Sequence, residues 1–225
     1  MIDERACRLY AQMPEHKFLV RKTVSFIRWA LGKVKNPYLA CSFGKDSSVM
    51  LHLVFNQFPN IQVKFLGKKE TTLIDDYAGI VEWWRNRNVL IDWITYRGWM
   101  EGGTQKGIAA NMQADEHDSF FVGIRKEESV ARRITLKKDG KYFLMKDGKI
   151  RIAPLADWTT KDIAAYMVAN DLPILGAYKR EGFEARTTST IPSKYPHEAI
   201  ARLKDADIIA YNQLIQMFPD AKYFS

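Results

Sequence analysis

Residues 38–51 read Tyr-Leu-Ala-Cys-Ser-Phe-Gly-Lys-Asp-Ser-Ser-Val-Met-Leu, and this order constrains the fold more than any other segment. A short apolar run stops at Ser42-x-Gly44-x-Asp46-Ser47, and an apolar helical pattern starts directly behind it. That is the pattern of a strand, a tight loop and a helix whose N-terminus faces the loop. Unpaired amides at a helix start, reinforced by the positive end of the helix dipole, suit anionic oxygens. Gly44 permits close backbone approach or a positive φ. Ser42 and Ser47 bring hydroxyl donors, and Lys45 brings a mobile point charge for phosphate. Asp46 suits a helix cap or a share in holding Mg²⁺. The alternative is an ordinary strand–helix turn with an Asp or Ser cap. The loop is not a Walker A motif, because no glycine lies five residues before Gly44, and it lacks Gly-x-Gly-x-x-Gly.

Around this loop the chain alternates between strand and helix patterns. Helices are expected over 2–13 and 17–31, a strand over 38–42, a helix over 47–57, a strand over 61–66, a helix over 73–88 and a strand over 89–95. The stretch 104–118 has helical character and 120–124 reads as a short buried strand. Asp139-Gly140 and Asp147-Gly148 punctuate a β-prone run, 134–152, expected to form a hairpin or small meander. A helix is expected from Thr159 or Thr160 to Asn170. Two more are expected between 192 and the end, broken near 204–206 and stopped at Pro219. This alternation predicts an α/β fold with a doubly wound parallel sheet, an inserted β-hairpin and C-terminal helices. The expected organisation is N-terminal helices over 1–36, a nucleotide-binding core over 37–185 and a helical tail over 186–225, all in one domain. Ligands of such sheets bind beyond the carboxyl ends of the strands, where the strand order reverses. The 42–48 loop follows such an end.

Arg125 follows the strand ending near Gly123, so its guanidinium fork can project over the same edge toward phosphate, sulfate or carboxylate. Glu127, Glu128, Arg132 and Arg133 follow at spacings that permit ion pairs such as Glu128–Arg132; the alternative is a solvated helix of mixed charge. In Asp157-Trp158-Thr159, either Asp157 or Thr159 can cap a helix while Trp158 packs beneath the sheet end.

Three segments together resemble the phosphoadenosine phosphosulfate (PAPS) reductase family of the PP-loop, adenine-nucleotide alpha-hydrolase superfamily. They are Ser42 to Ser47; Gly123-Ile124-Arg125-Lys126-Glu127-Glu128-Ser129; and Pro154-Leu155-Ala156-Asp157-Trp158-Thr159. The resemblance implies a Rossmann-like fold and a cofactor site for ATP, or a related adenine nucleotide such as APS or PAPS, formed by Ser42, Phe43, Gly44, Lys45, Asp46, Ser47 and Ser48. It implies catalytic roles for Lys45, Asp46 and Arg125, with Mg²⁺ on Asp46. Arg125, Glu128, Arg132, Lys179 and Arg180 become candidate contacts to a small anionic substrate, and Arg186 a weaker one.

The departures from the family redirect the chemistry. The resemblance implies a C-terminal Glu-Cys-Gly-Leu-His nucleophile segment, which this sequence lacks, and Gly67-Lys68-Lys69 stands where relatives carry Asp-Thr-Gly. The only cysteines are Cys7 and Cys41. They are too few for an iron–sulfur cluster, and no thiolate is placed for reduction of a sulfonucleotide. The reading that remains is cleavage of ATP between its α and β phosphates, adenylating a small anionic substrate and releasing pyrophosphate. The alternatives are a PAPS or adenylyl-sulfate reductase using an external thiol, and a non-catalytic module binding nucleotide or nucleic acid. A net charge of +8 favours anionic partners and admits nucleic acid without selecting it; a homodimer is likewise admitted. With no membrane-length apolar stretch and no signal-peptide pattern, the expectation is a cytoplasmic protein without a membrane partner.

Overall fold

The computed structural model describes residues 3–68, 77–96, 116–184, 200–201, 204–205, 208–217 and 219–224. The chain opens with helices α1 (Glu4–Ala11) and α2 (Pro14–Leu31). Strand β1 (Pro37–Cys41), helix α3 (Lys45–Phe55), strand β2 (Gln62–Lys68), helix α4 (Tyr77–Arg85) and strand β3 (Leu90–Tyr96) follow. Next come β4 (Ser119–Val122), α5 (Val130–Asp139), the short strands β5 (Tyr142–Leu144) and β6 (Ile150–Ile152), and α6 (Thr160–Ala169). Helices α7 (Gly176–Glu181) and α8 (Ile208–Met217) and a 3-10 turn (Pro219–Phe224) complete the described chain.

The six strands form one sheet in the order β3-β2-β1-β4-β6-β5, parallel except for the edge strand β5. The order runs outward through β1, β2 and β3 on one side and restarts at β4 on the other. The reversal therefore lies between β1 and β4, which is where the 42–48 loop leaves the sheet. This is the α/β architecture expected from the alternation, with the antiparallel edge strand added.

Helix α3 is buried along nearly its whole length: Val49, Met50, Leu51 and Val54 have no exposed surface. Leu39, Val63, Phe65 and Phe121 from the sheet join it in the main core. Helix α6 is fixed at its start by a reciprocal cap. Thr159 Oγ1 accepts from the Asp162 amide at 3.2 Å, and the Asp162 carboxylate accepts from the Thr159 amide at 2.8 Å. The same Asp162 accepts from Tyr10 Oη at 3.0 Å, seating α1 on α6. Thr159 is therefore the cap; Asp157 instead pairs with Lys126 and Lys141. Trp158 is buried as expected, and its indole N–H donates to Thr23 Oγ1 at 2.9 Å.

Three expectations are corrected. Residues 134–139 belong to α5, so the β-prone run shrinks to the β5–β6 hairpin. Apolar residues at 130, 134 and 136 carry β propensity, but Ser129 accepts from the Arg132 amide and starts a helix instead. Gly140, with φ of 77°, closes that helix rather than turning a hairpin. Residues 116–118 are not helical, and the remainder of the helix expected there lies outside the described residues. The break expected near 204–206 is not found at 204–205, which are helical, while α8 stops at Met217, just ahead of Pro219 as expected, before a 3-10 turn; most of the first expected tail helix lies outside the described residues. Among the described residues no helix is long and apolar enough to cross a membrane.

Candidate nucleotide site

The loop after β1 is built from its own side chains. Phe43 takes a positive φ of 52°, a conformation that costs a non-glycine residue on the order of 1 kcal/mol or more. Its buried ring lies edge-on to Phe65 at 4.9 Å, and its amide donates to Cys41 Sγ at 3.4 Å. The left-handed residue is thus Phe43; Gly44 is the extended N-cap, with φ of −69°. Ser47 Oγ donates to the Gly44 carbonyl at 3.1 Å, accepts from the Ser42 amide at 3.3 Å and pairs with Ser42 Oγ at 3.1 Å. The two hydroxyls therefore close the loop on itself, and the first-turn amides of α3, which lack intrahelical acceptors, are what the loop presents to an anion.

Helix α3 begins at Lys45, two residues ahead of the expectation, and Gly44 makes no side-chain cap. Asp46 is consequently not a cap. Its Oδ1 accepts from Arg125 Nε at 2.6 Å, and its Oδ2 lies 3.8 Å from Lys45 Nζ. Burial pushes the Asp46 carboxyl above its usual range, against the opposing pull of Arg125 and Lys45. Lys45 is 7% exposed, with its ammonium 5.0 Å above the Tyr178 ring. It is a covered cation rather than a mobile surface charge.

Arg125 is 2% exposed. Beyond Asp46, its guanidinium donates to Glu127 Oε2 at 2.6 Å, the Trp158 carbonyl at 3.2 Å and Thr160 Oγ1 at 3.3 Å. Glu127 Oε2 also accepts from the Thr160 amide at 2.5 Å. Burial pushes the Glu127 carboxyl up, but the bonds from Arg125 and Thr160 outweigh it and hold the group below its usual range. This cluster ties the end of β4 to the starts of α3 and α6. Glu128 accepts from the Arg125 amide at 2.7 Å and pairs with Arg132, the ion pair expected from their spacing. Glu127 and Glu128 themselves sit in the turn before α5.

Gly123 explains why the loop can lie so close to β4. A Cβ there would stand 3.0 Å from the Ser47 amide nitrogen and 3.1 Å from the Asp46 carbonyl carbon. Both neighbours are backbone, so a side chain would push the helix start away.

These parts surround a cavity of about 730 Å³. Ser42, Gly44, Lys45, Asp46 and Ser47 line it from the loop, and Arg125, Glu128 and Arg132 from the β4–α5 side. Phe43 and Ser48 are buried behind the loop instead. Glu127, Lys64, Thr160, Tyr178 and Glu184 also line the cavity, and sequence reasoning singled out none of them as site residues. Glu127 stood inside the second matching segment, and Lys64 was a lysine inside the apolar run of a central parallel strand. Lys179 is exposed and does not line the cavity; the Arg180 side chain and Arg186 lie outside the described residues. Among the described residues no three His, Cys, Asp or Glu side chains gather as a metal site. Asp46 is engaged by Arg125 and Lys45. Cys41 is buried under the loop, and desolvation pushes its thiol up to about 12.

A mostly parallel sheet with a loop and a helix start at its switch point is the arrangement in which α/β proteins hold anionic ligands. A family model, the phosphoadenosine phosphosulfate reductase domain, matches residues 105–196, a stretch that begins after the loop. Sulfate adenylyltransferase subunit 2 from Rhizobium tropici is 26% identical over 75% of this chain and 65% of its own length. Phosphoadenosine 5'-phosphosulfate reductase from Xanthomonas euvesicatoria is 28% identical over 65% of this chain and 68% of its own length. The chain thus spans about two thirds of the length of these curated relatives. The fold is similar to that of an NMN synthetase from Francisella tularensis, with a TM-score of 0.51 at 12% identity over 93% of this chain and 95% of that one. The chain is thus similar, over part of its length, to PAPS reductases and to a sulfate adenylyltransferase subunit.

Proposed function

We propose that the chain binds ATP or a related adenine nucleotide in the 730 Å³ cavity, with the phosphates on the loop and the first turn of α3. The reaction is cleavage of ATP between its α and β phosphates. An oxygen of a small anionic substrate attacks the α phosphorus, the α–β phosphoanhydride bond breaks, and its electron pair leaves with pyrophosphate. Positioning and charge stabilisation suffice for such a transfer, so no protein nucleophile is required. The observation that carries the reading is the opening of the α3 start onto the cavity at the β1–β4 switch point. The likeness to a sulfate adenylyltransferase subunit supports adenylyl transfer and makes sulfate the first acceptor to test.

The measurement is pyrophosphate release from ATP with Mg²⁺ and sulfate, together with melting shifts in ATP, adenylyl sulfate and PAPS. Nucleotide-dependent stabilisation is expected in the natural protein and strongly reduced in Ser47→Ala, whose loop loses its internal brace. Absence of any nucleotide-induced shift in the natural protein overturns the reading. The likeness to a PAPS reductase favours a second reading, reduction with an external thiol. Cys41, buried with its thiol at about 12, is unsuited to act as the in-chain thiol. Sulfite release dependent on an added thiol carrier distinguishes that reading.

A further inference from the structure

Helix α5 carries more positive charge than its surroundings neutralise. It packs inward through Leu136, which is buried with Ala153 and Ala156 against Val122 and Ile124, and it leaves Arg132, Arg133, Lys137 and Lys138 exposed. The carboxylates beside it already have cations: Glu128 pairs with Arg132, Asp139 with Arg151, and Asp157 with both Lys126 and Lys141. Among the described residues, Arg133, Lys137 and Lys138 have no carboxylate partner. Lys137 and Lys138 stand in the last turn, where they complement the helix dipole; Arg133, in the middle of the helix, has no such role.

A continuous set of contacts leads from α5 to an exposed indole. Arg133 Nε donates to the Lys126 carbonyl at 3.5 Å, and Lys126 and Lys141 share Asp157 at 2.6 and 2.5 Å. The Lys141 ammonium lies 5.9 Å from the centre of the Phe26 ring. Phe26 in turn stacks on Trp29, with centroids 5.7 Å apart and planes 28° apart. Tyr142 meets Trp29 edge-on at 5.1 Å, yet Trp29 is 49% exposed. At the other end, Arg132 and the α5 N-cap Ser129 line the cavity. Cations and one supported aromatic ring therefore form a strip that runs from the cavity mouth to Trp29.

We propose that this strip binds a single strand of nucleic acid, with phosphates on Arg133 and Lys137 and an unpaired base against Trp29. Surfaces that hold single strands combine cations along the backbone with aromatic rings on which bases stack, and both are present here. The large apolar side chains that α5 exposes are only Val130 and Ile134, whereas a helix lying on a lipid surface needs a broad apolar face. Protein–protein interfaces are depleted in lysine. Docking on this strip requires no ligand in the cavity, so it holds or fails apart from the nucleotide reading above.

The experiment follows the fluorescence anisotropy of labelled strands about 16 nucleotides long, as single-stranded RNA, single-stranded DNA and duplex DNA, between about 50 and 200 mM salt. Arg133→Gln/Lys137→Gln is expected to bind single strands roughly ten-fold more weakly and to reduce the slope of log affinity against log salt by about one to one and a half. Arg5→Gln/Lys17→Gln removes the same charge from exposed positions on α1 and at the far end of α2, and should change affinity less than about two-fold. Trp29→Leu is expected to weaken single-strand binding roughly ten-fold with the salt slope and duplex binding unchanged, because paired bases cannot stack on the ring; Trp29→Phe should recover part of the loss. Weakening for RNA, for DNA or for both supports the strip and identifies the strand. Absence of single-strand binding by the natural protein, equal weakening by the two charge pairs, or a Trp29→Leu loss shared by duplex overturns the proposal. Binding to phosphatidylserine vesicles in place of oligonucleotides, lost in Arg133→Gln/Lys137→Gln, makes the strip a lipid contact and overturns it too. Should Trp29→Leu fail to fold, the two pairs of exposed charge variants decide the question by themselves.

Discussion

Arg125 Nε donates to Asp46 Oδ1 at 2.6 Å, joining the end of β4 to the first turn of α3 across 79 positions of sequence. The guanidinium also donates to Glu127, Thr160 and the Trp158 carbonyl, so it is committed to holding three elements together. On this geometry Arg125 is a positioning residue for the loop. Arg125→Lys keeps the charge but cannot span these partners. It is expected to destabilise the fold by about 1–3 kcal/mol, and Arg125→Ala by on the order of 3 kcal/mol or more, because Asp46 is left buried with only Lys45, at 3.8 Å, to offset its charge. Denaturant melts give these values, and an Arg125→Ala/Asp46→Ala cycle should show coupling of about 0.5–3 kcal/mol. Nucleotide affinity should fall alike for AMP, ATP and adenylyl sulfate. A loss confined to the sulfated ligand would make Arg125 a direct substrate contact.

Gly123 sets how closely β4 and the loop approach. With both nearest neighbours backbone atoms, Gly123→Ala must displace the start of α3 by a few tenths of an ångström. Overpacking of this kind costs about 1–3 kcal/mol. The displaced amides are those proposed to hold phosphate, so nucleotide-induced stabilisation should weaken as well as the melting temperature. Normal nucleotide affinity in a destabilised Gly123→Ala protein would separate the loop from the binding site.

The order of strands and helices was legible because each is a period: alternation for the sheet, 3.6 for α2, α3 and α6. The loop was legible because few strand–helix turns carry its residues in that order. What misled was local propensity without its tertiary setting. Ile134 to Asp139 looked β-prone, yet the Ser129 cap commits it to α5. Ser42 and Ser47 read as ligand donors, and in the structure they bond to each other. The partner of Arg125 was not legible, since nothing local links positions 46 and 125.

Cysteine chemistry gives a clean contrast. Cys41 is buried with its thiol pushed up to about 12, whereas Cys7 is half-buried on α1 and raised mainly by burial, with Asp3 and Glu4 adding to it. Alkylation of the folded protein near pH 8 should label Cys7 slowly and Cys41 not at all, with Cys41 reacting only on unfolding. Peptide mass spectrometry reads both. Cys7→Ser should leave nucleotide turnover unchanged; loss of turnover in a folded Cys7→Ser protein would restore the reductase reading.

Acid stability tests the cluster through Glu127. Hydrogen bonds from Arg125 and Thr160 outweigh burial and hold its folded-state pKa below the ordinary 4.5. A carboxyl depressed in the folded state stabilises the protein fully above its unfolded pKa, and that contribution is lost as pH falls through the folded value. Asp46 works in the opposite sense, because burial raises its folded pKa above 3.8, so the whole-protein acid limb mixes the two. Glu127→Gln isolates one of them. At pH 7 the variant should melt below the natural protein, having lost a charge-assisted acceptor for Arg125 and Thr160. As the pH falls from 5 through the folded value, the natural Glu127 progressively takes up its own proton and loses the same advantage, so the two melting curves should converge over that fall. A gap that stays constant over that range would mean that Glu127 is not held ionised by the cluster.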